Sequence, residues 1–352
     1  MLFETWYEGP HGSLLGQEFL INDAGEVSPV YGSHSSSAST NFTPHSTSTP
    51  APTLVTSTGS NLEFNLVWDS SVAKAPSGFM QAIIDAAEYY TTLFTSPTGG
   101  KEVINIDVGY GEIDGSSLAS NALGESESYG YLTNYTTVTH ALESVGYSSS
   151  AFSATNEPTT SQFFITSADA KTLDLISATS SAVDEFVGFS TLGGTHYSWN
   201  FNANANGSST GTGSNQFDLL AVALHEISEV MGRIGMEGAI VEGKHTYTPL
   251  DLFNYASPGV LELSSKGGYF SVNDGTTPLG TYNDASVNGG DIADWASITS
   301  ITQSNTLGLT IGDYDAYDAY TAPGYNGAVS QSDILEDAAL GYKLTPAGVA
   351  AA

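Results

Sequence analysis

Residues 225–229 read His-Glu-Ile-Ser-Glu. On a helix, His225 and Glu229 are four apart and share one face, so both can grip one metal ion. Glu226 is rotated about 100° from His225, beside the pair, where it can handle an attacking water. Two ligands at this spacing with a glutamate next to the first is the pattern of a zinc-hydrolase helix. The second ligand is usually His. A carboxylate oxygen is also a legitimate zinc donor, though it adds negative charge and makes the metal a weaker Lewis acid. The competing reading is a solvated face with an ordinary His–Glu pair.

The helix that must carry these residues is expected over 215–233. Leu220, Leu224, Ile227, Met231 and Ile234 form its apolar stripe, and the His225/Glu229 face lies elsewhere. The small residues Ala221, Ala223 and Gly232 allow close approach of backbone or metal. Arg233 is the only arginine in the chain. It falls near the angular positions of Glu226 and Glu229. It is read either as a C-terminal cation facing the helix dipole or as a structural partner for a site carboxylate.

Around this helix, residues 62–68 alternate as a strand, 77–95 have helical spacing with Ser77 as cap, and 102–109 read as a second strand. Strand, helix and strand in that order suggest a crossover unit on a sheet. Short helices are expected near 136–145 and 167–176, and strands at 183–190 and 197–201. Residues 33–60 are dominated by Ser, Thr and Pro and read as flexible. The organisation expected is therefore a flexible extension at 1–60, a folded domain at 61–345 and a tail at 346–352. His34 and His45 are taken as solvated residues of the extension.

Composition narrows the function classes. Of 352 residues, 38 are acidic and 7 basic, giving a formal net charge of −31. Phosphate backbones repel such a chain, which argues against nucleic-acid binding. No cysteine is present, so thiolate catalysis, disulfides and Cys-based metal sites are excluded. No apolar run is long enough for a membrane-spanning helix. A weakly charged surface rich in Ser, Thr, Asn and Gly suits a secreted bacterial protein. The first residues lack a Sec-type signal, so export by another route is expected. Oligomeric state is left open by the sequence.

HEISEVMGR (225–233) resembles the signature of a bacterial family of secreted zincin-type metalloproteases, related in pattern to leishmanolysin-like metzincins. The likeness extends over VWDSSVAKAPSGF (67–79), INIDVGYGEIDG (104–115), ALGESESY (122–129), YTPLDLFNYASPGV (247–260), GGDIADWAS (289–297) and DILEDAALGY (333–342). It implies an α/β (α+β) zincin-like metallopeptidase domain: a twisted sheet with a backing helix, an active-site helix and an irregular C-terminal subdomain. It also implies one catalytic zinc and a protein or peptide substrate. In leishmanolysin-like members the third ligand is the His of a His-Trp dipeptide; Asp294-Trp295 stands in that place here. Asp294 is thus the first candidate for third ligand, and Asp251 in the PLDLF block is the second. His245 lies near Asp251 and is a better donor chemically, but it belongs to none of the blocks. Two departures stand out: Asn254 replaces an expected basic residue, and no Met-turn follows Trp295.

The mechanism expected has Glu226 as general base. Tyr255 is a candidate oxyanion donor, with core packing as its alternative. His140 and His196 lack partner spacing. The acidic stretch at 312–320 could take calcium but fits no EF-hand loop. The alternative function is a catalytically silent extracellular or surface-layer binding protein on the same scaffold.

Overall fold

The computed structural model describes strands at 7–8, 14–15, 18–22 and 27–29, then residues 49–148, 151–204, 208–288, 290–296 and 315–352. Most of the 33–60 stretch, with His34 and His45, lies outside the described residues, as do 312–314 of the acidic stretch and 297–314, where a Met-turn would fall.

Strand β1 (Thr53–Val55) pairs antiparallel with β2 (Leu62–Trp68). Leu62, Phe64, Leu66 and Trp68 of β2 are buried while alternate residues are half-buried, as the period of two requires. Burying each such side chain contributes about 1.5–3 kcal/mol, so four of them fix which face of β2 looks inward. Helix α1 (Phe79–Leu93) then crosses over to β3 (Glu102–Tyr110), which runs parallel to β2. Its N-cap is Gly78 rather than the expected Ser77. Gly78 has φ 102°, and a Cβ there would crowd Phe201, so position 78 admits the left-handed turn that no other residue makes cheaply.

The sheet continues through β4 (Gly124–Asn134), β5 (Gln162–Thr166) and β6 (Glu185–Phe189). β6 is parallel to β3, while β4 is antiparallel to both β5 and β6. The result is a mixed sheet of ten strands. Helix α2 (Tyr135–Ser144) follows β4, capped by Asn134, and α3 (Ser167–Thr172) follows β5, capped by Thr166. The 176-side half of the helix expected at 167–176 instead turns away after Thr172.

Two domain boundaries differ from expectation. β1, and a strand at Glu18–Asn22 paired with β4, both join the sheet from within residues 1–60. At the other end, Lys343–Leu344 pairs with Phe94–Thr95, and Pro346–Ala351 is a helix capped by Thr345. Gly348 of that helix is buried against the carbonyl of Leu93, so this end docks on α1 instead of trailing off.

Helix α4 (Leu219–Val230) is shorter than the expected 215–233 because Gln216–Asp218 pairs as a strand with Ser198–Asn200. Asp218 caps it by accepting from the Leu220 and Ala221 amides. The chain leaves the helix at Gly232, whose φ of 109° reverses its direction. Beyond it stand a four-stranded sheet (Asn254–Ser257, Val260–Leu261, Tyr269–Phe270 and Gly280–Thr281) and α5 (Gln331–Ala339), which opens with a Ser330/Asp333 capping box. α4 packs between α1 and β4, with the second half of the chain closing over its other side.

Candidate metal centre

The α4 helix turns His225 and Glu229 to one side, and the irregular second half returns Asp294 to meet them. One ligand atom from each lies within 4.8 Å of the others, the only such three-residue group among the described residues. His225 Nε2 is 3.4 Å from Glu229 Oε1 and 3.4 Å from Asp294 Oδ1. Zinc bonds of about 2.0–2.2 Å in tetrahedral geometry place neighbouring donors about 3.3–3.6 Å apart, so both separations fit a shared ion. The donor chemistry also fits: one imidazole nitrogen and two carboxylate oxygens. Such a set is not specific to zinc.

Each candidate donor is held by a second group. His225 Nδ1 lies 2.9 Å from the Ala316 carbonyl. A ring N–H donated there leaves Nε2 as the lone-pair nitrogen facing the carboxylates, the tautomer a metal requires. Ser126 Oγ on β4 donates to Glu229 Oε2 at 2.8 Å. Arg233 Nη1 donates to Asp294 Oδ1 at 2.8 Å and to the Ala293 carbonyl at 3.1 Å, and Nη2 stands 3.6 Å from Glu229 Oε1. Its Nε donates to Ser228 Oγ at 2.6 Å, and its guanidinium lies 4.2 Å from the Tyr317 ring centroid. The sole arginine is fully buried and spans the two carboxylates.

Electrostatics follow from this packing. Burial acts against ionised Glu229, but hydrogen bonding and attraction from His225, the charge of Arg233 and the Ser126 hydroxyl outweigh it, holding Glu229 below the usual carboxylate range. Burial would likewise discharge Arg233, yet Asp294 and Glu229 raise its pKa further, so it stays cationic. Burial works against protonated His225, while Asp294 and Glu229 overcome that effect and lift its pKa. A metal would displace that proton, which makes binding pH-dependent.

Glu226 is buried beside this group, its carboxylate lying under the backbone of Gly124 on β4. A Cβ at position 124 would collide with Glu226 Oε1, so β4 comes this close to the helix only with glycine there. Gly232 tolerates its positive φ and sits against Asp169, letting the chain turn so that Arg233 points back along α4.

Asp251 is not one of the three. Its Oδ2 accepts from the Thr248 amide at 2.8 Å and the Met236 amide at 3.2 Å, so its carboxylate ties two loops together by backbone bonds. Burial pushes its pKa up to about 7. Tyr255 is buried in the four-stranded sheet, paired with Tyr269, where Gly275 packs against its ring. That is the packing alternative rather than a placement at the three ligands. His245 is exposed in a hairpin opposite Ile240, and His196 lies against Tyr197. In the acidic stretch, Asp315 accepts from the Tyr317 amide and Asp318 accepts from the Asp315 amide, bonds that close a local turn.

Gly124, Ser126, Ser228 and the Ala316 carbonyl carry parts of the site to which sequence reasoning assigns no role. Gly124 and Ser126 do lie in the ALGESESY block, which is the one signal that pointed to them. Comparison with protein-family models, with curated proteins and with solved structures found no match to this chain.

Proposed function

We propose that the protein is a metal-dependent endopeptidase, with zinc as the ion. The observation that carries this reading is the convergence of three donors, with His225 Nε2 at tetrahedral-edge spacing from both Glu229 Oε1 and Asp294 Oδ1 and Glu226 next in sequence to the first donor. An ion held by these three would polarise a scissile carbonyl and lower the pKa of a water. Glu226 takes the proton of the attacking water and passes it to the leaving amine. Arg233 and Ser126 hold Asp294 and Glu229 in orientation, and the Ala316 carbonyl holds His225. Export from the cell belongs to the same proposal.

One observation favours a second reading, a binding protein that keeps this scaffold without catalysis. Arg233 stands within ion-pair reach of both carboxylates of the centre and offsets one of their two negative charges without a metal. The two readings part on one experiment. The purified chain is assayed for bound metal and for casein or gelatin cleavage, with and without chelator. Metal at one ion per chain with chelator-sensitive cleavage supports the peptidase. Metal without cleavage supports the binding protein. Unchanged metal content after joint His225→Ala and Glu229→Ala substitution removes the site itself.

A further inference from the structure

Asp294 and the Ala316 carbonyl reach His225 from two separate segments, and both segments meet at the first turn of α5. Trp295, next after Asp294, donates its indole Nε1–H to Asp333 Oδ1 at 2.6 Å. Asp333 Oδ2 accepts from the Ser330 amide at 2.6 Å, which closes the capping box of α5. Asp315, next before Ala316, accepts from the Tyr317 amide on Oδ1 at 2.8 Å. The Asp315 carboxyl also lies within hydrogen-bonding reach of Asp333. Both side chains are buried. Two carboxyl groups in contact away from water do not both ionise, so this pair shares a proton. Asp333 already accepts from two N–H groups. The proton therefore belongs on Asp315, whose second oxygen donates it to Asp333.

We propose that the Asp315–Asp333 pair is a proton-bearing joint that positions Asp294 and Ala316 at His225, which makes Asp315 and Asp333 positioning residues of the metal centre. The service of the joint to a metal rests on the metal-centre reading; the joint itself does not. Burial, and then the charge of Asp333, push Asp315 up to about 10. The groups that face the pair are the acids Asp318, Glu336 and Asp337 and the phenols of Tyr89, Tyr90 and Tyr317. Arg233 lies beyond them, acting on Glu336 and Asp337. An unfolded Asp titrates near 3.9, so the folded chain holds the extra proton from about pH 4 upward. The stability this adds is present in full below about pH 4 and is lost as pH rises through the folded value of about 10. Once the proton has gone, two like charges face each other and the segments carrying Asp294 and Ala316 part from α5.

The test compares Asp315→Ala with Asp315→Asn in the full chain. Alanine removes the joint. Asparagine rebuilds it without a titratable proton, because its amide N–H donates to Asp333 and its oxygen still accepts from the Tyr317 amide. Zinc affinity is measured at pH 7 by competition with a chelating dye. It should fall by about tenfold or more in Asp315→Ala and recover to within about threefold of wild type in Asp315→Asn. Hydrogen exchange is followed at the Trp295 and Ala319 amides, which bond to the Tyr317 and Trp295 carbonyls. It should quicken in the alanine variant alone. The indole N–H resonance of Trp295, identified by its loss in Trp295→Phe, should titrate at about pH 10 in wild type and stay fixed in Asp315→Asn. Circular dichroism establishes that each variant is folded. Zinc affinity and exchange unchanged in Asp315→Ala, or weakened equally in both variants, overturn the proposal. Exchange that quickens in the alanine variant and recovers in the asparagine variant, with zinc bound by no form, keeps the joint and ends the metal-centre reading.

Discussion

Two of the buried groups of charges among the described residues are finished differently. Lys171 and Asp184 face each other with both side chains fully buried. The ammonium donates to Asp184, the Val103 carbonyl and the Ser180 carbonyl, which uses its three protons. Asp184 also accepts from the Asn105 amide and the Ser167 hydroxyl. Nothing is left over. At the His225 group, Ser126 satisfies the far oxygen of Glu229, while Arg233 reaches the two oxygens, Asp294 Oδ1 and Glu229 Oε1, that also face His225 Nε2. His225 also keeps 16% of its side chain exposed. A closed ion pair fastens α3 to the sheet. The second group is braced by Arg233 and Ser126 and stays partly open at His225, an arrangement a ligand site can use.

The largest effect that can break this contrast is at Glu226. Glu226→Ala should retain metal and lose cleavage by about 100- to 10,000-fold, the usual contribution of a general base. Metal analysis and a casein assay read both; cleavage at the wild-type rate would put Glu226 outside the chemistry. Next is Lys171→Met. It strands a buried carboxylate and should cost about 3–5 kcal/mol in denaturant unfolding, while metal per folded chain stays the same. A loss of metal without loss of stability would mean that the two groups are not separate devices.

Arg233→Lys is the sharper comparison. Lysine keeps the charge but cannot span two carboxylates, so metal affinity should drop by about 10- to 100-fold by competition with a chelating dye. Affinity unchanged by the swap would reduce Arg233 to a packing residue.

The last effect lies in neither group. Burial, and then the charges of Asp69, Glu112 and Asp114, push Asp107 up to about 7. An unfolded Asp titrates near about 3.9, so between these values the folded chain holds the extra proton. Asp107 therefore makes stability fall as pH rises from about 4 to about 7. Asp107→Asn should flatten this slope and raise the melting temperature at pH 8, leaving metal content alone. An identical slope in the variant would assign it to other buried carboxyls.

Local order was legible where one face is buried. The alternation in Leu62–Trp68 and the spacing of Phe79, Ile83, Ala86 and Tyr90 announce β2 and α1, since apolar burial imposes their periods. The pair His225 and Glu229 was legible for the same geometric reason. β4 was not: Glu125, Ser126, Ser128 and Gly130 are poor strand formers, and only their pairing with distant strands makes them one. Asp294 was reached through a resemblance, because no local period connects it to a helix sixty positions earlier. Asp251 shows the limit of that route, for a buried carboxylate serves backbone amides as readily as a metal.

The hydrogen bond from the His225 ring to the Ala316 carbonyl joins residues 91 positions apart. A ribosome finishing α4 has not yet made Asp294 or Ala316. The nascent chain can fold its first sheet and its helix, but it holds one imidazole without a fixed tautomer and lacks one of the three donors. The three donors and the carbonyl that orients the ring therefore come together only after residue 316 has been made.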